Sequence, residues 1–479
     1  MRHARRLWLL LFVVLLLTRL CHLQILWAEE TLPMAAAGQM LLGKVLYRDI
    51  WFDKPPMLAA FYLLSSAQAG WPLRILDALY LVAVCWLAAQ FARELWGQHE
   101  ALWAAGLAAF YLIFDLPSAI IPVAADLLMV APHIAAVYLA WRGRPFASGL
   151  AAGVAFLINP KGLFVAAACL LWSARSPHWL ALGFLLPNAL AALWLWLGGA
   201  LWSYYDEVWR WGRAYAGQTF VSHPVANGLL RTGNWLGFHA AAAAAAAWCW
   251  LRDSKSARWR WAAWAAISMA AVAAGWRFFP RYYLQLFPLL ILLAARGMVL
   301  LGRRRAVVLV LLIVPLVRFG PRYAILARDL LAGRSHEWAD IAMDRDSRQA
   351  ARLAASCAEP GAALFVWGFR PELYIYTGLP AASRFLDSQP LTGIPADRHL
   401  RQSKPVDTAF VIPHRAELMR TQPSLILDGL GPYNPALAIE RYADLRPWLA
   451  SYEIVGRTGG TVIYRLSADP AGRSLFQKR

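Results

Sequence analysis

Two adjacent carboxylates, Glu29 and Glu30, follow directly on the first apolar run of the chain. Ionised groups so close to hydrocarbon are energetically costly and usually serve a function. Two interpretations are open. One carboxylate caps a helix, because acidic side chains are favoured at helix N-termini. Alternatively, the pair supplies a general base or a metal ligand at the membrane surface, where it would deprotonate an acceptor hydroxyl while an amphiphilic substrate stays in the bilayer.

A third acid, Asp126, opens a later apolar run. Its simplest role is that of a helix N-cap. The alternative is a second acid that orients the acceptor or binds a metal. The sequence leaves both roles open.

Four cations, Lys54, Lys161, Arg277 and Arg281, lie in loops that we predict to face the outside. Snorkelling of long side chains towards water explains many such residues. Lys and Arg are nevertheless disfavoured in external loops, so these cations predict an anionic ligand, for which a phosphodiester is the obvious candidate at a membrane surface. Tyr282, which follows Arg281, adds a hydroxyl donor, although aromatic residues are common at membrane interfaces.

The composition indicates that a membrane protein positions these side chains. Of the 479 residues, 60% are hydrophobic and only 16% are charged, whereas a soluble domain carries about 25% charged residues. The net charge of +19 does not indicate nucleic acid, because the basic residues lie mostly in short loops and in the last third of the chain. The five cysteines show no paired spacing, so neither a disulfide framework nor a zinc ribbon is predicted.

Residues 7–27 give about 30 Å of helix, which is enough to cross a bilayer. Their basic start and long apolar run are unlike a cleaved signal peptide, so we predict a retained first span with a cytoplasmic N-terminus. The apolar stripe from Leu32 to Val45 predicts an interfacial helix. Residues 57–69 predict a re-entrant or surface helix, and Trp202 to Trp235 an aromatic-rich loop. Further spans are predicted near 73–92, 101–116, 126–141, 146–173, 179–199, 236–251, 261–276, 283–295 and 305–318.

The segment 146–173 is interrupted by Asn159-Pro160-Lys161-Gly162. Read as two helices rather than one kinked helix, it keeps the two later basic clusters, Arg252–Arg260 and Arg296–Arg305, in the cytoplasm together with Arg142 and Arg144, as the positive-inside rule favours. The total is then about eleven spans with the C-terminus outside. The loops that contain the acids and cations listed above share this external face.

Charged residues become frequent from about residue 325, and apolar runs shorten. We therefore predict an α-helical polytopic membrane protein with a catalytic membrane part over 1–324, including a first external loop over 28–72. A small extracytoplasmic α/β domain follows over 325–479, large enough for its own core. In that domain the pattern predicts strands at Ala362–Trp367, Thr408–Ile412 and Ser424–Leu427, helical turns at Pro371–Thr377 and His414–Thr421, and a hairpin around Gly459-Gly460.

Several motifs together resemble a known family. Glu29-Glu30, Gly43, Tyr47-Arg48-Asp49 and Asp53-Lys54-Pro55-Pro56 are similar to the first external loop of the polyprenyl-phosphate-sugar-dependent glycosyltransferases with the GT-C fold. These include protein O-mannosyltransferases and the bacterial aminoarabinose transferase of lipid A. The likeness continues through Phe279-Pro280-Arg281-Tyr282-Tyr283, Val366-Trp367-Gly368 and Ala382-Ser383-Arg384-Phe385, and so covers nearly the whole chain.

The resemblance implies an inverting transfer of a sugar from a polyprenyl-phosphate carrier to a lipid, glycan or protein acceptor outside a bacterial cytoplasmic membrane. It implies Glu29 or Glu30 as the base, with Asp126 placing the acceptor. Lys54, Arg281 and Tyr282 would hold the donor phosphate. Where this chain has Glu29-Glu30 the family usually has Asp-Glu, which leaves the identity of the base open. Some members of the family bind a divalent cation, and the sequence leaves the need for a metal unknown.

A rival hypothesis is a transporter or flippase of lipid-linked sugars, which would also need cations on one face. That class is expected to have inverted repeats and charged residues near the bilayer midplane, and the sequence shows neither. The clustering of polar residues on one side favours the transferase.

Overall fold

The computed structural model describes residues 2–23, 25–115, 122–218, 221–253, 258–394 and 408–467. Most of these residues are helical, and their four strands form one small sheet near the C-terminus. The helices of the first part are α1 (Arg2–Leu20), α2 (Ala28–Leu41), α3 (Pro56–Leu63), α4 (Trp71–Leu95), α5 (Gln98–Ile113), α6 (Ala125–Leu128), α7 (Val130–Trp141), α8 (Pro145–Ile158), α9 (Gly162–Ser173), α10 (Pro177–Leu197), α11 (Leu201–Tyr204), α12 (Trp211–Gln218), α13 (Pro224–Phe238), α14 (Ala240–Arg252), α15 (Arg258–Ala273), α16 (Phe287–Leu300), α17 (Arg305–Val310) and α18 (Ile313–Leu331).

The predicted break inside 146–173 is confirmed. Pro160 has no N–H and restricts the residue before it, so α8 ends at Ile158. The Asn159 side chain then accepts a hydrogen bond from the Lys161 N–H at 3.1 Å. This short turn separates α8 from α9 and fixes the backbone at Lys161.

Helices α8 and α10 pack at very close range because glycines face each other. A Cβ atom at Gly183 would lie 2.1 Å from the Phe146 carbonyl oxygen, and one at Gly149 would lie 2.1 Å from the Leu180 carbonyl oxygen. No side chain larger than hydrogen fits at either point. The contact fixes the start of α8 against α10.

Two helices, α4 and α10, are long and apolar enough to cross a membrane among the described residues. The number rises to three if Gly302–Val310 and α18, which meet at a bend of 49°, form one broken span. Several other apolar helices have only 10–17 residues. The count of about eleven spans therefore stays a prediction.

The aromatic segment after Trp202 was wrongly predicted to be a loop. Its described residues form α11, a π-helical turn over Tyr205–Arg210, α12 and α13. Tertiary contacts stabilise these helices; Trp211, for example, packs edge-on against Trp51 with ring centroids 5.4 Å apart. A count of aromatic residues along the chain does not reveal such partners.

Helix α2 is present as predicted, but its surface is covered rather than free to lie in the interface. Leu32, Met34 and Ala36 are buried. Gln39 exchanges hydrogen bonds with the C-terminal part: its amide donates to the Leu379 carbonyl at 3.2 Å and accepts from the Ala381 N–H at 2.7 Å. The apolar stripe thus packs against protein.

The C-terminal part contains α19 (Ala339–Ser356), β1 (Leu364–Trp367), α20 (Glu372–Thr377), α21 (Gln389–Thr392), α22 (Thr408–Leu418), β2 (Leu425–Asp428), α23 (Arg446–Leu449), β3 (Tyr452–Arg457) and β4 (Val462–Leu466). The strand order is β1-β2-β4-β3, with β1 parallel to β2 and the other pairs antiparallel. The predicted hairpin is confirmed as β3–β4, and β1 and β2 match two predicted strands. The third predicted strand, Thr408–Ile412, was wrong because it forms the start of α22; a short apolar run does not distinguish the two structures.

Replacing Gly183 with Ala is expected to destabilise the protein by about 1–3 kcal/mol, because the new methyl group overpacks the α8–α10 contact. The change is measured as a lower thermal unfolding temperature of the detergent-solubilised chain. Gly106→Ala is the matched control, since Gly106 also lies inside an apolar helix but has no atom within 4 Å of an added Cβ. Equal unfolding temperatures for the two variants would contradict the packing argument.

Candidate active site

Glu29 and Glu30 occupy the first turn of α2 and point to different partners. Successive residues of an α-helix are about 100° apart around its axis. Glu29 forms an ion pair with Arg281, whereas Glu30 forms one with Arg74. The adjacent acids therefore belong to two separate clusters.

The Glu30 cluster is completely enclosed. Arg74 Nη1 lies 2.8 Å from Glu30 Oε1 and 2.8 Å from Asp77 Oδ2, and Arg19 Nη1 lies 3.6 Å from Asp77 Oδ2. All four side chains have 0% exposure. The other Glu30 oxygen accepts the Trp27 N–H at 3.3 Å. These contacts correct the expectation that Glu30 is a candidate base, because neither of its oxygens is open to an acceptor.

Glu29 lies in a more open cluster with Arg281 and Asp126. Arg281 Nη1 donates to Glu29 Oε1, and Arg281 Nε lies 3.5 Å from Asp126 Oδ2. The Asn159 amide donates to Asp126 Oδ1 at 3.2 Å. About a third of the Glu29 and Arg281 side chains remains exposed. The cluster thus joins four segments that are distant in sequence: α2, α6, the α8–α9 turn and the turn before α16. This agrees with the prediction that the loops carrying these side chains share one face.

Lys161 and Tyr282 complete this cluster. The Lys161 ammonium lies 3.0 Å from the centroid of the Tyr282 ring, a cation–π arrangement. Tyr282 belongs to a 3₁₀ helix, Pro280–Gln285, which also carries Arg281. Arg281 and Tyr282 thus share one turn, and the Tyr282 ring contacts the α8–α9 turn at Lys161.

Arg277 approaches the same cluster from a strained stretch of backbone. Trp276 and Phe278, on either side of it, have φ of 59° and 48°, a region that non-glycine residues rarely occupy and that costs about 1–3 kcal/mol at each residue. The Arg277 guanidinium donates to the Tyr215 carbonyl at 2.8 Å and lies 3.8 Å from the Tyr215 ring centroid. The surrounding fold holds this cation near the site at the expense of backbone strain.

Lys54, the remaining predicted phosphate ligand, lies apart from this cluster. Its ammonium pairs with Asp53 Oδ2 at 2.5 Å, and its carbonyl accepts the Tyr47 hydroxyl at 2.7 Å. Within the part of the chain that the structure describes, Lys54 has no ion pair with Glu29 or Asp126. It lies instead beside Asp387 of the C-terminal part.

The loop that carries Lys54 is held from two sides. Glu207, in the π-helical turn, accepts the Phe52 N–H at 2.7 Å and pairs with Arg384. Arg384 donates to the Tyr47 carbonyl at 2.9 Å, and its own carbonyl accepts the Trp51 N–H at 2.7 Å. The C-terminal part therefore fixes the loop between α2 and α3.

Asp387 is a buried acid next to this loop. Its Oδ1 accepts the Gln389 N–H at 2.7 Å, and its Oδ2 is buried without a hydrogen-bond partner among the described residues. Burial raises the pKa of the Asp387 carboxyl to about 7, and the nearby Asp53 adds to the shift while Lys54 opposes it. Sequence reasoning missed this residue, as it missed Glu207, because nothing in their neighbourhood along the chain indicates burial.

Nowhere in the described ranges do three or more His, Cys, Asp or Glu side chains lie close enough together to hold a metal ion. The need for a divalent cation stays open. The described carboxylates of the site are instead paired with arginines.

Comparison with known proteins identifies the fold. No family model matches the chain, and no curated protein matches it. Among solved structures, ArnT from Cupriavidus metallidurans in the apo state superposes with a TM-score of 0.59 at 16% identity, over 98% of this chain and 99% of that one. The chain has the GT-C fold. ArnT bound to undecaprenyl phosphate gives a TM-score of 0.57 at 18% identity, over 97% and 99% of the two chains. The predicted class, a helical membrane protein with a small α/β part, is confirmed.

A more distant likeness is found to the oligosaccharyltransferase of Archaeoglobus fulgidus, with a TM-score of 0.45 at 13% identity over 95% of this chain and 73% of that one.

Replacing Arg74 with Met should destabilise the protein by about 3–5 kcal/mol, because Glu30 and Asp77 would be left buried without their shared cation. The measurement is thermal unfolding of the purified chain. Arg210→Met is the control, since Arg210 pairs with Asp206 while more than half exposed, and such pairs contribute about 1 kcal/mol or less. Similar losses in the two variants would refute the structural role of the Glu30 cluster.

Asp387→Asn should change how stability depends on pH. The folded protein keeps the Asp387 proton up to a pKa of about 7, whereas the unfolded chain releases it above about pH 4. Stability of the wild type should therefore fall, relative to the Asn variant, by about 2 kcal/mol between pH 5 and pH 7, and the difference should stay constant above pH 7. Unfolding temperatures of both proteins at each pH give the difference. A pH-independent difference would rule out a raised carboxyl pKa.

Proposed function

We propose that the chain is a membrane glycosyltransferase that moves a sugar from a polyprenyl-phosphate carrier to an acceptor hydroxyl, with inversion at the anomeric carbon. The observation that carries the proposal is the meeting of Glu29, Asp126, Arg281, Tyr282 and Lys161 in one partly open cluster. A sugar transfer needs a base for the acceptor and cations for the phosphate leaving group. This cluster contains both kinds of group.

The fold supports the same class of reaction. ArnT, a lipid A aminoarabinose transferase, shares the architecture over nearly the full length of both chains. One of its structures contains undecaprenyl phosphate, a polyprenyl phosphate without its sugar. We take the donor of the present protein to belong to this class of lipid.

In the proposed donor complex, Arg281 and the Tyr282 hydroxyl bind the phosphate, whereas Lys54, which lies apart from them and is paired with Asp53, stays a predicted contact only. A groove of about 190 Å³ is lined by residues that include Pro56, Phe156, Leu157 and Leu195. It lies between the loop that carries Lys54 and the end of α8, just before Asn159. We place the first isoprene units of the carrier in this apolar groove.

The proposed reaction begins when the phosphate takes up hydrogen bonds from Arg281 and so releases Glu29 from its ion pair. The Glu29 carboxylate then accepts the proton of the acceptor hydroxyl while that oxygen attacks the anomeric carbon. The bond from this carbon to the phosphate oxygen breaks, and its electron pair stays on the phosphate. Asp126, held by Arg281 and Asn159, orients the acceptor.

The division of the chain at about residue 325 and its orientation form part of this proposal. We assign residues 1–324 to the catalytic membrane part and 325–479 to an extracytoplasmic domain of a protein in a bacterial cytoplasmic membrane, with the N-terminus in the cytoplasm.

Glu29→Gln should lower sugar transfer by roughly 100-fold or more, because the amide cannot accept the acceptor proton. The assay follows a radiolabelled polyprenyl-phosphate sugar in membranes that contain the protein. Glu337→Gln is the control, since Glu337 is 71% exposed and forms an exposed ion pair with Arg345. The assay is paired with a thermal unfolding measurement to show that both variants fold.

Full transfer by the Glu29→Gln variant would remove the base assignment. Movement of the labelled donor across a sealed vesicle without loss of its sugar would instead support the transporter class.

A further inference from the structure

The Lys161 side chain ends in a buried amine that has no hydrogen-bond acceptor among the described residues. Its backbone is fixed by the Asn159 side chain and by Pro160, outside both flanking helices. An amine buried without a partner is costly, and such groups in native proteins normally have one. The amine faces the proposed site, where it lies against the Tyr282 ring.

The charged groups that act on Lys161 come from two other elements. Asp126 of α6 attracts it, and Arg281 and Arg277, from the turn before α16, repel it. Burial is the largest effect and lowers the pKa of the Lys161 amine to about 8; Asp126 opposes this shift, and the two arginines add to it.

The balance of charge in the cluster favours an anion over a neutral ligand. Glu29 and Asp126 supply two negative charges, and Arg281 is paired with both. Together with Arg281, Arg277 and a protonated Lys161 bring the positive charges to three, one more than the two negative charges. A sugar hydroxyl would accept a hydrogen bond from Lys161 but would leave the excess positive charge in place. A phosphate accepts the hydrogen bond and also neutralises that charge.

We propose that Lys161 is a ligand of the donor phosphate and that its amine takes up a proton when the phosphate binds. The inference rests on the proposed function and adds a specific contact and a proton linkage to it. Because the leaving phosphate gains a second negative charge as the bond to the sugar breaks, an ammonium at this position stabilises the product side of the reaction more than the donor.

The linkage has a definite sign. With the site empty, the amine is largely neutral above about pH 8; a bound phosphate holds it in the charged form. Binding above this pH must therefore take a proton from the buffer, and affinity must fall as pH rises, by about tenfold between pH 8.5 and pH 9.5.

The test is isothermal titration calorimetry of the detergent-solubilised full chain with farnesyl phosphate, at pH 7.5, 8.5 and 9.5. Repeating each titration in buffers with different ionisation enthalpies gives the number of protons taken up. Wild type should take up roughly 0.5–1 proton at pH 8.5. Lys161→Arg, which stays charged throughout, should bind with neither proton uptake nor this fall in affinity.

Lys161→Met should bind at least tenfold more weakly at pH 7.5. Lys44→Met is the matched control, because Lys44 is another partly buried lysine but donates to the Ala381 carbonyl, away from the cluster; its proton uptake should equal that of wild type. Inorganic phosphate and farnesol, titrated separately, show whether the linkage follows the phosphate or the lipid tail, and only the phosphate should carry it.

The outcomes separate the two proposals. If wild type binds no farnesyl phosphate, the proposed function fails. If wild type binds it without proton uptake, or if uptake persists in Lys161→Arg, the Lys161 proposal is overturned while the proposed function stands. The Arg variant keeps the test decisive even where the Met variant does not fold.

Discussion

The rest of the structure depends on two ion pairs at the start of α2. A charged side chain that is removed from water needs a partner of opposite charge, and both carboxylates at the start of this helix have one. Helical geometry sends neighbouring carboxylates in different directions, so each needs its own cation. Glu30 finds Arg74 in an enclosed cluster that also contains Asp77 and Arg19. Glu29 finds Arg281 at a place still reached by solvent. The enclosed pair anchors the first turn of α2, and that anchor sets the position from which Glu29 acts in the proposed reaction.

The cations of the proposed site are positioned by local backbone chemistry as much as by ion pairs. Pro160 and the Asn159 side chain hold the turn at Lys161, and α8, the helix before this turn, packs closely on α10 through glycines at its start. On the other side, two residues with positive φ flank Arg277. Like charges gathered in this way repel one another, and the packed helices supply the opposing stability. A site arranged so in advance does not have to be ordered when an anion arrives.

The C-terminal part holds the loop that carries Lys54. Arg384 binds the backbone of the α2–α3 loop and pairs with Glu207, which itself binds the loop. Lys54 consequently lies near the buried acid Asp387. The position of Lys54 therefore depends on the contacts that Arg384 of the C-terminal part makes with this loop. That dependence gives a physical reason for one chain to carry both parts.

The amino-acid sequence by itself determined the membrane class, the break between α8 and α9, and the β3–β4 hairpin, because hydropathy and the effects of proline and glycine act within a few residues. The positive-inside rule, applied to the loops, also predicted that Glu29, Asp126 and Arg281 lie on the same face of the protein. Only the tertiary structure decided that Glu30 is buried and that the described residues after Trp202 are helical. It also decided that the Lys161 amine faces the proposed site with no hydrogen-bond acceptor among the described residues. Those outcomes depend on contacts between residues far apart in the chain, such as the 44 positions from Glu30 to Arg74 and the 252 from Glu29 to Arg281. No local pattern encodes such a pairing, because it is packing that selects which charges meet.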